Sequence, residues 1–497
     1  MLSALIWLPI VGAIVIAIFG GDVSSKNLRQ VALVFTTAVF AITIALLTQF
    51  DIGDGRLQLN EYLPWVETVG LSYSLGVDGL SLPLVLLNGL LGIIAVFASN
   101  DVQRPRLYYS LILLLCGGVM GTFLSQNLLL FFLFYEVELI PLYLLIAIWG
   151  GERRVYAATK FLIYTAISGV LLLAGFFGLA SLAATVNTGI SFNLADLDTQ
   201  LLAGSTQMIL LVLILLGFGI KIPLVPLHTW LPDAHVEAST PISTILAGVL
   251  LKLGTYGLLR FGVALFPSAW HEIAPFIATW AVVSVLYGCL TAISQKDMKK
   301  MVAYSSVGHM GYILLGFAAD TPLSIMGATM QMVSHGLISA MLFLLVGVVY
   351  QKTGTRQLGS LSGLFNPERG LPLAGSFIVM AAMASAGIPG MVGFIAEFVV
   401  FRGSFTAFPV QTLLCMLGTG LTAVYFLVMV DRVFFGRFWI AKGKVTEAIT
   451  PTVTANIPRS TFTDLFPNFA LAILIVVLGL QPSWLSRWIE TAAQLVM

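Results

Sequence analysis

The chain has 497 residues, of which 58% are hydrophobic and only 9% charged, with a mean hydropathy of +0.98. A soluble domain carries about 25% charged residues. This composition therefore excludes a surface that faces water throughout and makes the bilayer the solvent. A formal net charge of +1 leaves no electrostatic footprint for nucleic acid.

A membrane helix needs about 20 predominantly apolar residues. Runs of that size lie near 2–20, 29–50, 80–99, 107–125, 127–149, 155–186, 206–231, 240–265, 272–294, 300–319, 323–351, 371–404, 408–435 and 466–486. They predict an all-α integral membrane protein of about 14 transmembrane helices, with 1–497 forming a single transmembrane domain. The first run is apolar from Met1 and lacks the basic segment of a cleavable signal, so it reads as a retained first span. Gln126 and Asn127 divide the long apolar stretch 107–149 into two spans. The polar stretches 51–78 and 437–465 read as surface loops.

Most of the 24 basic residues fall in loops after odd-numbered spans, among them Lys26, Arg104, Arg153, Arg154, Lys296, Lys300, Arg356 and Arg437. Lys and Arg stay on the cytoplasmic side. Residues 152–154 and 437–459 are therefore expected to be cytoplasmic, with 51–78 and both termini on the opposite side. Cys116, Cys289 and Cys415 stand far apart in apolar runs with no Cys/His cluster, which argues against a metal or an iron–sulfur centre.

Ionisable residues in the membrane interior cost about 2.5–3.5 kcal/mol each on insertion scales, and are functional candidates by default. Glu136 and Glu138 lie midway along the fifth span, about 200° apart on a regular helix. One is expected to face a polar interior and the other a neighbouring helix or subunit. The bland reading is a pair of buried, hydrogen-bonded acids. Lys221 lies in the seventh span beside Pro223 and Pro226, which break a helix and free carbonyls next to the charge. Lys252 lies centrally in the eighth span, with Tyr256 and Arg260 on the same face. Arg260 either faces inward or snorkels outward. His309 lies in the tenth span. In the eleventh, Gln331, His335 and Ser339 form a stripe at four-residue spacing. Each histidine reads equally as a satisfied core residue or as a proton carrier. Glu397 follows a second break at Gly387-Ile-Pro-Gly390 in the twelfth span. His228 and His235 flank Trp-Leu-Pro-Asp-Ala, a spacing that matches no strong zinc signature.

The breaks in spans 7 and 12 are five spans apart. An odd number of crossings between equivalents makes a repeat inverted, and inverted repeats with broken helices mark transporters. The repeats would cover about 107–265 and 272–435, flanked by helices at 2–99 and 466–486. There is no GxGxxG and no P-loop, so no cofactor is expected in this chain and redox chemistry is expected in other subunits.

Several of these segments resemble a known family. They are Phe-Tyr-Glu136-x-x-Leu-Ile-Pro, Ala-Thr-Lys160-Phe-Leu-Ile-Tyr, Lys221-x-Pro-x-x-Pro-Leu-His-Thr-Trp-Leu-Pro-Asp-Ala-His235, Gly-Val-Leu-Leu-Lys252-x-x-x-Tyr-Gly-Leu-Leu-Arg260, Ala-Tyr-Ser-Ser-Val-Gly-His309-Met-Gly and Gly-x-Ile-Ala-Glu397-Phe. Together they are similar to the antiporter-like subunit 4 (chain M) family of complex I. Glu136-Val-Glu138-Leu-Ile-Pro resembles the D subunit branch of the NAD(P)H dehydrogenase-like complex of cyanobacteria and chloroplasts. His235-Val-Glu-Ala-Ser-Thr-Pro241 looks like the form tied to carbon dioxide uptake.

The resemblance implies two inverted five-helix repeats with discontinuous helices 7 and 12, and a central axis of charge and water. It implies Glu136, Lys221, Lys252 and Glu397 as the key protonatable residues, with His309 and His335 on the connecting path. On physical grounds alone, a Glu136–Lys221 pair, if formed, would have two states, because removing one charge of a buried pair destabilises the other. The implied role is proton translocation in a complex I-type NAD(P)H/ferredoxin:plastoquinone oxidoreductase, among other membrane subunits and lipid. The implied location is a cyanobacterial thylakoid membrane with lumenal termini. Two rival readings stand beside it: a subunit of a free-standing sodium/proton antiporter, and a scaffold whose charges only hold helices together.

Overall fold

In hydrocarbon every backbone amide needs a partner within its own segment, so long apolar runs fold as helices. The computed structural model describes all residues except 22, 101, 184–189, 442–459 and 496–497. The chain begins with α1 (Leu2–Phe19) and α2 (Ser25–Leu47). The side chain of Ser24 accepts from the Asn27 amide and starts α2. Residues 51–78 are more ordered than a surface loop. They contain the antiparallel hairpin β1 (Gln58–Val66) and β2 (Leu71–Val77), paired with Leu63 opposite Tyr73. Gly70 turns the chain at φ 71°, where a side chain would be strained. The protein is thus helical in its spans, with this hairpin and, among the described residues, one further short two-stranded pairing outside them.

Next come α3 (Leu82–Ala98), α4 (Pro105–Leu124), α5 (Leu128–Val137), α6 (Leu139–Trp149) and α7 (Arg154–Leu182). They are followed by α8 (Gly204–Lys221), α9 (Trp230–Glu237), α10 (Thr240–Ile245) and α11 (Leu251–Gly257). Single π-helical stretches, Leu246–Leu250 and Leu258–Val263, follow α10 and α11. The second half holds α12 (Pro267–Ile293), α13 (Met298–Ala319), α14 (Pro322–Thr353), β3 (Leu361–Ser362), α15 (Pro372–Ser385), α16 (Val392–Ser404) and α17 (Pro409–Phe434). It ends with β4 (Trp439–Ile440), α18 (Phe462–Leu480) and α19 (Ser483–Leu495). Most of the expected loop 437–465 lies outside the described residues.

Among the described residues, 12 helical segments are long and apolar enough to cross a membrane. The expectation of about 14 differs by α3, which has 17 residues, and by the run 371–404, which is divided into α15 of 14 residues and α16 of 13. The helices form a core and a ring. The segment Thr240–Val263, with α4, α13 and α14, is buried along nearly its whole length. By contrast α1, α2, α7, α17 and α18 turn most of their residues outward, presenting Val34, Val170 and Leu427 where lipid would lie. The interior helices bury Lys252, Lys299, His309 and His335.

Candidate functional site

The site starts at a flaw in the fifth span. Pro141 has no N–H to offer the Val137 carbonyl, and the helix is interrupted between α5 and α6 at Glu138. Glu138 is fully buried and forms an ion pair with Lys221. Glu136 is half-buried on the α7 side, near Gly169, and still lies within Coulombic reach of Lys221. One expectation is corrected here: Lys221 pairs with Glu138 rather than Glu136, and of the two acids it is Glu138 that faces the interior. The two acids stand on different pieces of the span: Glu136 is in the last turn of α5 and Glu138 is the residue between α5 and α6.

Lys221 ends α8, as the proline spacing predicts. Pro223 and Pro226 supply no amides to the turn, and two indoles take up exposed carbonyls. Trp230 Nε1 donates to the Ile220 carbonyl at 2.9 Å, and Trp280 Nε1 donates to the Val225 carbonyl. The Val225 amide donates to Ser284 Oγ at 3.2 Å. The break is thus rigidly satisfied. The Lys221 ammonium also sits 4.7 Å from the Tyr135 ring centroid, a cation–π contact.

Lys252 is fully buried on α11, between the two π-helical stretches. A wider π turn loosens the i−4 ladder and is frequent at functional sites. Here Lys252 Nζ donates to the Ala247 carbonyl at 2.6 Å and lies 2.8 Å from His335 Nδ1. The segment is therefore not the regular helix that simple periodicity suggests. Gly254 lets α11 approach α8 closely: a Cβ there would stand 3.2 Å from Lys221 Cβ. Arg260 faces inward. It pairs with Asp78 at the end of the hairpin and donates to Tyr256 Oη at 3.2 Å.

From His335 the file continues across α13 to α16. The His335 and His309 rings are 5.5 Å apart between centroids. His309 Nδ1 donates to the Ser305 carbonyl at 2.7 Å, which fixes a proton on Nδ1. Its Nε2 faces Ser385 Oγ at 3.4 Å and Glu397 Oε1 at 3.6 Å. The Ser385 hydroxyl can donate to an unprotonated Nε2, and the carboxylate favours a protonated one. Both states of His309 are provided for. Thr419 donates to Glu397 Oε2 at 2.8 Å. The break between α15 and α16 sets this geometry, with Gly387 at φ 69° and Gly390 at φ 93°. A small cavity of about 10 Å³ joins His309, Gln331, His335, Ser339, Ser385 and Glu397. That is near the lower limit for one water. The stripe read from the sequence faces this cavity.

The structure thus joins Lys252, His335, His309 and Glu397 in one buried file, with the Lys221–Glu138 pair on the neighbouring elements. Glu136 stands at its edge. Residues that sequence reasoning passed over include Thr419, Ser385 and Asp78. His235 had been weighed only as a metal ligand. It stacks on Phe343 at 4.4 Å, and neither ring nitrogen has a hydrogen-bond partner. It also lies within Coulombic reach of Lys252. Its full burial was the missing signal. Among the described residues no group of three or more His, Cys, Asp or Glu is arranged to hold a metal.

A polytopic helical fold with two broken spans and a file of buried ionisable residues has the architecture of a membrane transporter. A family profile described as NADH:quinone oxidoreductase/Mrp antiporter, transmembrane, matches residues 125–422, and the chain belongs to this family. Chain 4 1 of the NAD(P)H-quinone oxidoreductase of Synechococcus elongatus is 40% identical over 97% of this chain and 88% of its own length. Its namesake in a Nostoc strain is 41% identical over 98% of this chain and 89% of its own. A chain of respiratory complex I from Thermus thermophilus superposes with a TM-score of 0.87 at 25% identity, with both chains fully covered. A chain of the Mrp complex from a Dietzia strain gives the same TM-score, 0.87, at 22% identity, over 100% of this chain and 99% of its own, and shares the fold.

Proposed function

We propose that the chain is a proton-translocating antiporter-like subunit of a complex I-type NAD(P)H:quinone oxidoreductase. One observation carries this reading: the unbroken buried file Lys252–His335–His309–Glu397, whose members stand 2.8 Å, 5.5 Å between ring centroids, and 3.6 Å apart. Buried charge of this kind is costly, and a lysine, two histidines and a glutamate in contact or near-contact form a series of titratable groups along which a proton can be handed on.

In the proposed cycle, Lys221 is held by Glu138 and released toward Glu136. Removing a partner from a buried pair destabilises the charge left behind, so release drives Lys221 to give up its proton to Lys252. The proton then moves through His335 and His309 to Glu397. Residues 107–265 and 272–435 act as two inverted repeats, each with one broken helix. This chain carries no redox cofactor. Electron transfer lies in companion subunits and reaches this file as a coupling free energy between sites. The cyanobacterial source and the name of the relatives fit a quinone as the acceptor and, in this reading, plastoquinone in a thylakoid membrane; the basic loops argue for termini on the lumenal side. Within this reading, residues 235–241 favour the complex tied to carbon dioxide uptake.

The likeness to the Mrp complex favours a second reading, a sodium/proton antiporter subunit. Purification of the native assembly separates the two. Companions able to reduce a quinone support the proposal. An assembly of ion-transport subunits alone contradicts it.

A further inference from the structure

A cleft of about 510 Å³ lies between α2, α3, α14, α18 and α19, remote from the buried file. Its walls are apolar: Phe40, Leu86, Leu90, Leu337, Leu474 and Leu478. One end is bounded by α19, which lies across the end of the bundle. α19 buries Leu485, Ile489, Ala492 and Ala493, and its backbone presses on the loop before α3, where a Cβ at Gly79 would overlap the Trp488 carbonyl. Its outward side presents Trp484, while Arg487 is exposed at the rim of the cleft. Among the described residues Arg487 has no ion-pair partner, whereas Arg56 at the same end pairs with Asp54.

We infer that this cleft binds one anionic membrane lipid, with an acyl chain filling it and the headgroup held by Arg487. The lining of the cleft argues against an extended peptide. An extended peptide would need backbone partners, and the polar groups of the lining, Ser483, Arg487 and the indoles of Trp484 and Trp488, all lie on α19, leaving the walls from the other helices apolar. A flexible hydrocarbon chain needs none. Tryptophan and arginine together are the pair that settles at headgroup level. The unpaired guanidinium selects negative charge and can grip phosphate with two N–H groups. The occupant would pack on Val333 and Leu337 of α14, the helix whose other side carries Gln331 and His335. This inference does not depend on the function proposed above.

The test uses the intact complex in detergent, labelled with phosphatidylglycerol that carries a diazirine on its acyl chain, and with the matching phosphatidylcholine. Cross-linked peptides are mapped by mass spectrometry. The expected result is anionic-lipid labelling within 40–52, 83–90, 333–337 and 474–488. One cation at an anionic headgroup is worth about 1 kcal/mol, so Arg487→Gln should cut this labelling about fivefold, while Arg487→Lys keeps most of it. Should Arg487→Gln fail to assemble, competition between the two lipids on the unaltered complex decides. No labelling of the cleft, equal labelling by both lipids, or labelling indifferent to Arg487→Gln would overturn the proposal.

Discussion

Glu136 and Glu138 are two residues apart, and their fates in the structure differ. Glu138 is sealed in the interior against Lys221, while Glu136 is half-buried beside α7. Removing one partner of a buried pair costs about 3–5 kcal/mol. Glu138→Gln should therefore lower the amount of assembled complex on a native gel by tenfold or more, an estimate that follows from that cost. Glu136→Gln leaves the pair in place and should assemble normally, with proton uptake lowered several-fold. Normal abundance and normal uptake with Glu138→Gln would show that the pair is dispensable. Burial of the charges was legible in the sequence, because lysine and glutamate stood inside runs too apolar to host them. Their pairing was not. It depends on which helices pack beside the fifth span: α8 brings Lys221 to Glu138, while α7 lies beside Glu136.

At the scale of elements, the two broken spans were the most legible feature. Pro223 and Pro226 in one, and Gly387 and Gly390 in the other, are residues whose backbone properties interrupt a helix locally. The π-helical turns around Lys252 were not legible, since nothing in Leu-Ala-Gly-Val-Leu departs from an ordinary apolar helix. They arise from packing, and tertiary contacts set them. The hairpin before α3 was missed because alternation in Gln58–Val66 is weak: its residues are mostly exposed on both faces. Gly387 offers a test at this scale. A Cβ there would meet Glu397 Oε2 at 3.2 Å, and a side chain at φ 69° costs about 1–2 kcal/mol. Gly387→Ala should leave the complex assembled and lower proton uptake several-fold by moving the Glu397 carboxylate. Unchanged uptake would show that the break does not position Glu397.

For the molecule as a whole, composition placed the chain in the bilayer, and the ring of outward apolar residues around a buried centre agrees with it. The orientation rests on the basic loops. It can be read from single cysteines, because Cys116, Cys289 and Cys415 are all buried and give little background. Cysteine at Arg153 should react with an impermeant reagent from the cytoplasmic side, and cysteine at Arg56 from the opposite side. Labelling of both from one side would refute the arrangement. The path of charge through the centre could not be read from the sequence, since Lys252 and His335 are 83 residues apart and meet only because α14 packs on α10 and the π-helical stretch before α11.

The central claim is that protons pass along the file that begins at Lys252. Lys252→Met keeps similar volume in the buried site and removes only the titrating group. The decisive measurement is proton uptake by proteoliposomes holding the assembled variant complex, with its abundance read on a native gel from the same membranes. The account predicts normal abundance and uptake lowered at least tenfold, the loss that follows from about 1.4 kcal/mol or more on the transfer barrier. Normal abundance with normal uptake would contradict it.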